Sequence, residues 1–170
     1  TYRLPFSFTD GGTVMAYATQ NDLQPSMVTE LAVSMYIDKS KWTVVKVDSE
    51  QGGSEAAKNA IDGNSSTIWH THYNPDAPYP HEIVVDMKTT YDVAAFVYEG
   101  RGDLSNGRIK DYEIYFSTNS RTWDEPAATG SFINAGGEQV VQLAEPVKAR
   151  YFRLVALSEV EGRAWASAAE

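Results

Sequence analysis

The stretch Thr67–His81, TIWHTHYNPDAPYPH, holds one Trp, two Tyr, three Pro and all three His of the chain. Three chemistries are open to it. His70 and His72, two residues apart, could share a strand face and hold zinc with His81 as third ligand. The rings could instead be core, or they could form a platform for a flat ligand. No His-Glu motif accompanies the histidines, no nucleophile motif marks a serine for a triad, and the absence of cysteine removes Cys-ligated zinc and disulfides alike. Nothing specific in the chain points to an enzyme.

Just upstream, Asp62-Gly63-Asn64-Ser65-Ser66-Thr67 offers oxygen donors without nitrogen or sulfur ligands, a set that suits a hard ion such as calcium if the backbone turns its carbonyls inward. An ordinary Asp-Gly turn would carry the same residues. The Gly-rich loop Tyr98–Tyr112, YEGRGDLSNGRIKDY, carries Arg101, Asp103, Asn106 and Arg108 between two strand patterns. An Arg there can fork two adjacent acceptors, and an Asn supplies donor and acceptor together. A solvated hairpin loop is the plainer reading.

The elements that must position these residues are short and of period two. Glu30–Ile37, Trp42–Val47, Glu82–Met87, Val93–Tyr98, Lys110–Ser117, Glu138–Leu143 and Ala149–Leu157 read as strands. Only Ser54–Ile61 looks helical, with Ser54 as N-cap and Asp62-Gly63 as its stop. Turn signals separate the strands, at Gly52-Gly53, Asn74-Pro75, Asn106-Gly107 and Gly136-Gly137. The expected fold is therefore all-β, a sandwich. Residues 1–40 fit it less well, with two possible short strands around Asp10-Gly11-Gly12. They read as a small N-terminal β appendage or the end of a preceding domain, and residues 41–170 as the main domain.

At 170 residues the chain can bury one sizeable core. Its 23 Asp+Glu against 14 Lys+Arg give a net charge of -9 with scattered basic residues, which argues against nucleic acid and anionic membrane surfaces as partners. No apolar run approaches the length of a membrane span.

Taken together, NAIDGNSSTIWHTHY, PHEIVVDM, GRIKDYEIYFSTNSRTW, ARYFRLVALSE and ASAAE follow in order the pattern of the coagulation factor V/VIII type C (discoidin) domain. The chain most resembles the bacterial family 32 carbohydrate-binding modules, over about Trp42 to Glu170. The resemblance implies a β-sandwich jelly roll and a structural calcium ion held by the side chain of Asp62, the backbone of Asn59 and Asn64, Thr67 and Glu170. It implies a sugar pocket with Tyr73 and Trp165 as apolar walls, His70 hydrogen-bonding a hydroxyl, Arg101 and Asn106 as a fork to neighbouring hydroxyls, and Glu50 at the rim. Trp42, Trp69, Trp123, Tyr112, Phe116 and Phe152 match the family's packing positions, leaving His72 and His81 solvent-facing or structural.

The expected function is that of a non-catalytic module recognising galactose- or N-acetylhexosamine-type ends of glycans. It would belong to a larger bacterial protein that is secreted, periplasmic or on the cell surface. The rival reading is a discoidin-type adhesion module for protein or lipid.

Overall fold

The computed structural model describes residues 12–33 and 35–170. Two compact units divide the backbone between Asp38 and Lys39. In the first, β1 (Gly12–Ala16) pairs antiparallel with β2 (Thr29–Val33), Gly12 facing Val33 and Ala16 facing Thr29. β2 takes the place of the strand expected at Glu30–Ile37. Any strand ahead of Asp10 lies outside the described residues.

The second unit holds the sandwich. β3 (Thr43–Val47), β5 (His81–Gly100), β8 (Gly137–Ala156), β6 (Asp111–Ser117) and β7 (Ala128–Ser131) lie in that order in one antiparallel sheet. β4 (Trp69–His70) pairs with β9 (Ser167–Ala168) in a second, two-stranded sheet. Alternation sorts the faces of β5: Ile83, Val85 and Met87 are buried core residues, while Glu82 and Asp86 point to the opposite side. There Arg150 forks Asp86 through Nε–Oδ1 and Nη2–Oδ2 contacts of 2.9 Å each, and Arg153 Nε donates to Glu82 Oε2 at 2.5 Å. The Arg150 guanidinium holds the Asp86 carboxyl well below the usual carboxylate range.

The sequence pattern broke β5 and β8 into two strands each, and the structure joins them. The two strands pair from His81↔Ala156 to Gly100↔Gly137, with register shifts between Asp86 and Tyr91 and between Val93 and Ala95. Lys88, at φ 68, absorbs the first irregularity. Polar residues Lys88–Thr90 mark this kink, and the ladder resumes beyond it.

Trp69 is fully buried, and Tyr112, Phe116 and Phe152 lie in the core as the family pattern implied. Tyr98, Phe132 and Tyr112 stack, with centroids 4.4 Å and 4.1 Å apart. Trp42 sets its edge against Phe152 at 5.8 Å. Trp123 departs from the expected packing role, because it stands half-exposed in the β6–β7 loop.

The helix also differs from expectation. It is one 3-10 turn, Ala57–Ile61, preceded by Ala56 and not capped by the Ser54 side chain. The Glu50 carboxylate reaches in from outside instead, Oε2 accepting the Ala57 N–H at 2.6 Å.

Candidate functional site

Pairing of β4 with β9 sets His70 opposite Ser167. Gly107 closes against both. Its φ of +84 is a left-handed conformation that glycine adopts freely, and a Cβ there would stand 2.8 Å from Ser167 Oγ and 3.0 Å from His70 Nε2. The Tyr98 hydroxyl fastens the same two segments, accepting the Ile109 N–H at 3.0 Å and donating to Ser167 O at 3.0 Å. Burial raises the Tyr98 pKa, so the phenol keeps the proton it donates.

Glu159, 2 % exposed, binds the flanking loops together. Its carboxylate accepts Gly107 N–H at 3.1 Å, Glu161 N–H at 2.7 Å and Arg163 N–H at 3.1 Å, and pairs with Arg163 Nη1 at 3.0 Å. Sequence reasoning missed it. The only signal was an acid placed just ahead of the Gly162 turn.

On this base three rings converge. His70 lies 5.2 Å from Tyr73 and 5.8 Å from Trp165 between centroids, and Tyr73 and Trp165 are 6.3 Å apart at 68°. Trp165 is held in place by its Nε1 donating to Asp76 Oδ1 at 2.7 Å, by Arg163 5.6 Å from its ring centroid, and by the Tyr79 hydroxyl donating to its carbonyl. Tyr73 is 42 % exposed whereas His70 is 1 % exposed. The tyrosine is therefore a wall and the imidazole a floor.

The hydrogen bonds of His70 fix its tautomer. Nδ1 is 2.6 Å from the Thr71 carbonyl, which can only accept, so Nδ1 carries the hydrogen and Nε2 is an acceptor. Burial lowers the His70 pKa, against the raising effect of that carbonyl, and the ring stays neutral near neutral pH. Among the described residues, Nε2 and Ser167 Oγ are buried without a hydrogen-bond partner, and so are Gln51 Oε1 and Glu55 Oε2. Gln51 and Glu55 adjoin His70 through backbone bonds, Gln51 N–H to His70 O at 2.8 Å and His70 N–H to Glu55 O at 3.2 Å. Buried polar atoms left unpaired are costly. His70 Nε2 and Ser167 Oγ, which both face Gly107, mark a place that a polar ligand would satisfy. Gln51, Glu55 and Ser167 carry no sequence motif, which is why sequence reasoning passed over them.

Arg101 reaches the same neighbourhood by a different geometry from the one the resemblance implied. Its Nε and Nη2 fork onto Asp103 at 2.7 Å each, and only Nη1 turns toward Asn106, 3.4 Å from its carbonyl. The guanidinium draws the Asp103 pKa down to about 2. The Asn106 carboxamide has no partner among the described residues. The Glu50 carboxylate is committed to the start of the 3-10 helix. The three histidines do not meet: His72 Nδ1 faces Pro75 O at 3.1 Å, and His81 faces Asp48 Oδ2 at 2.8 Å and Ala164 O at 3.1 Å. Among the described residues no group of three or more His, Cys, Asp or Glu is placed to hold a metal.

The oxygen-rich loop is gathered around Asn64. Asn64 N–H lies 2.9 Å from Asp62 Oδ1 and 2.7 Å from Glu170 Oε1. Thr67 Oγ1 sits 2.8 Å from both Asp62 Oδ2 and Asn64 O. Asn59, buried, donates Nδ2 to Ser54 O at 2.8 Å and Ile68 O at 3.0 Å, pinning the loop ends, and Lys39 pairs with Glu170 Oε2. Two carboxylates, a hydroxyl and a carbonyl form an oxygen donor set matching hard-cation chemistry.

An antiparallel jelly-roll sandwich whose rings and unpaired polar atoms gather around the β4–β9 pair and its flanking loops has the make-up of a ligand-binding domain. The chain belongs to the F5/8 type C domain family, whose model matches residues 44–170. It is 42% identical over 139 residues to a sialidase of Micromonospora viridifaciens and 42% identical over 137 residues to a galactose oxidase of Gibberella zeae, each match covering 79% of this chain. It spans about a fifth of the length of these relatives, 21% and 20%. Among solved structures, it resembles CpGH89CBM32-5 from Clostridium perfringens in complex with GalNAc-beta-1,3-galactose, with 33% identity, a TM-score of 0.72 and coverage of 79% of this chain and 95% of that one. It also resembles the family 32 carbohydrate-binding module of Clostridium perfringens NanJ in complex with galactose, with 30% identity, a TM-score of 0.70 and coverage of 79% and 93%.

Proposed function

We propose that Lys39–Glu170 is a non-catalytic carbohydrate-binding module for galactose- or N-acetylhexosamine-type ends of glycans. It would serve as an accessory domain of a larger, secreted bacterial protein that handles glycans. The observation that carries this reading is the ring cluster of His70, Tyr73 and Trp165, together with the buried and unpartnered His70 Nε2.

A pyranose has an apolar C–H face and a rim of hydroxyls. The C–H face would stack on Trp165, with Tyr73 as the second wall. A ring hydroxyl would donate to His70 Nε2, while the Asn106 carboxamide and Arg101 Nη1 supply donors to its neighbours. Asp103 acts one step back, holding the guanidinium in place. With one shallow pocket and a few hydrogen bonds, a dissociation constant of about 0.1–10 mM is expected for a single sugar, lowered by avidity on longer glycans. Calorimetric titration with galactose and N-acetylgalactosamine tests this. Binding in that range, weakened at least about tenfold by Trp165→Ala, is the expected result, and absence of heat with every glycan would reject it.

The loop of Asp62, Asn64, Thr67 and Glu170, with the backbone of Asn59, is the proposed calcium site. Bound there, the ion would supply the charge that holds Glu170 to the loop after the 3-10 helix, a structural role. Chelation should lower the melting temperature by roughly 5–10 °C, the effect of removing a ligand present at a hundred times its dissociation constant. An unchanged melting temperature would remove calcium from the account.

A further inference from the structure

The face of the five-stranded sheet that carries Glu82 and Asp86 is not uniformly filled. Between it and the β6–β7 loop lies a groove of about 460 Å³. Val45, 48 % exposed, and Val84 give it an apolar side, and the half-exposed Trp123 ring another. Lys46, Arg121 and Arg153 bring three cations to it against one carboxylate, Glu82.

The charges are not equivalent. Glu82 is already taken by Lys46 on one oxygen and by Arg153 on the other, and Arg153 also lies 5.2 Å from the Tyr115 ring centroid. Arg121 is held only through its backbone, N–H to Asn119 Oδ1 at 3.0 Å. Its guanidinium has no partner among the described residues. A free guanidinium, a half-exposed indole and a local excess of positive charge therefore meet in a chain whose net charge is -9.

We propose that this groove is a second saccharide site, for an acidic sugar residue bearing a carboxylate or sulfate. The sugar's C–H face would stack on Trp123, and its anionic group would accept a forked pair of hydrogen bonds from Arg121, with Arg153 and Lys46 adding attraction. A neutral sugar would leave the Arg121 charge unused, so the site selects for the anion. None of its residues belongs to the His70 ring cluster, and the two sites stand or fall separately.

The test is NMR titration of the full 170-residue chain, following the indole N–H signals of Trp123 and Trp165. Glucuronic acid, N-acetylneuraminic acid and glucose 6-sulfate are the acidic probes, with glucose as the neutral comparator. The Trp123 signal should move saturably with at least one acidic probe below about 20 mM and stay fixed with glucose. Which probe acts tells carboxylate from sulfate. Arg121→Ala should weaken the effect about fivefold or more and leave the Trp165 response to galactose unchanged. A Trp123 signal indifferent to all three acidic probes, equally moved by glucose, or unaffected by Arg121→Ala would overturn the proposal. So would acidic probes that move Trp165 alone.

Discussion

Replacing Gly107 by alanine should damage both the stability of the domain and its ligand site. The residue sits at φ +84, where a side chain costs about 1–2 kcal/mol. Its new methyl would lie 2.8 Å from Ser167 Oγ, 2.9 Å from Ser167 Cβ and 3.0 Å from His70 Nε2. Relieving that overlap means moving packed atoms, at roughly 1–3 kcal/mol. Ser167 cannot yield easily, since its N–H donates to Gly107 O at 2.6 Å and its carbonyl holds the Tyr98 hydroxyl. Gly137 separates the two costs, because it shares the φ of +84 but a Cβ there meets nothing within 4 Å. In urea unfolding, Gly137→Ala should lose about 1–2 kcal/mol from backbone conformation alone, and Gly107→Ala about 2–5 kcal/mol. Only Gly107→Ala should also weaken galactose binding, by displacing the imidazole. Equal losses for the two variants would refute the close packing of Gly107 on His70 and Ser167.

Two further outcomes follow from the same geometry. Tyr98→Phe strands the buried Ile109 N–H and the Ser167 carbonyl, so a loss of about 2–4 kcal/mol is expected in denaturant titration; a loss under about 0.5 kcal/mol would mean the hydroxyl is not the tie between these segments. For pH, His70 Nε2 accepts only while the ring is neutral, and burial lowers its pKa below the ordinary 6.5. Galactose affinity should hold from pH 8 down to that value and decline only on further acidification. A decline already complete at pH 6.5 would contradict it.

How far the sequence reached depended on how local each signal was. In Lys110–Ser117, alternation of Tyr112, Ile114 and Phe116 with polar neighbours identified the strand, because one buried face imposes that period. β4 and β9, two residues each, were out of reach, since a strand that short has no period. They nonetheless place His70 beside Ser167. The fork of Arg101 onto Asp103 was legible in principle from a spacing of two, but the sequence gives no sign of which acceptor the guanidinium would choose. Glu50 was expected at a sugar rim, whereas the bare N–H of Ala57 draws it to the helix start. Trp123 matched a packing position, but whether an indole is covered depends on the path of the β6–β7 loop, which no local pattern fixes.

The central claim is that a sugar hydroxyl is received by His70 Nε2, and the imidazole nitrogen resonances of His70 report on it directly. During galactose titration of the full chain, the Nε2 signal should shift with the same saturation curve as the Trp165 indole, while Nδ1, already bonded to Thr71 O, moves little. Saturable binding that leaves Nε2 unmoved would contradict the account.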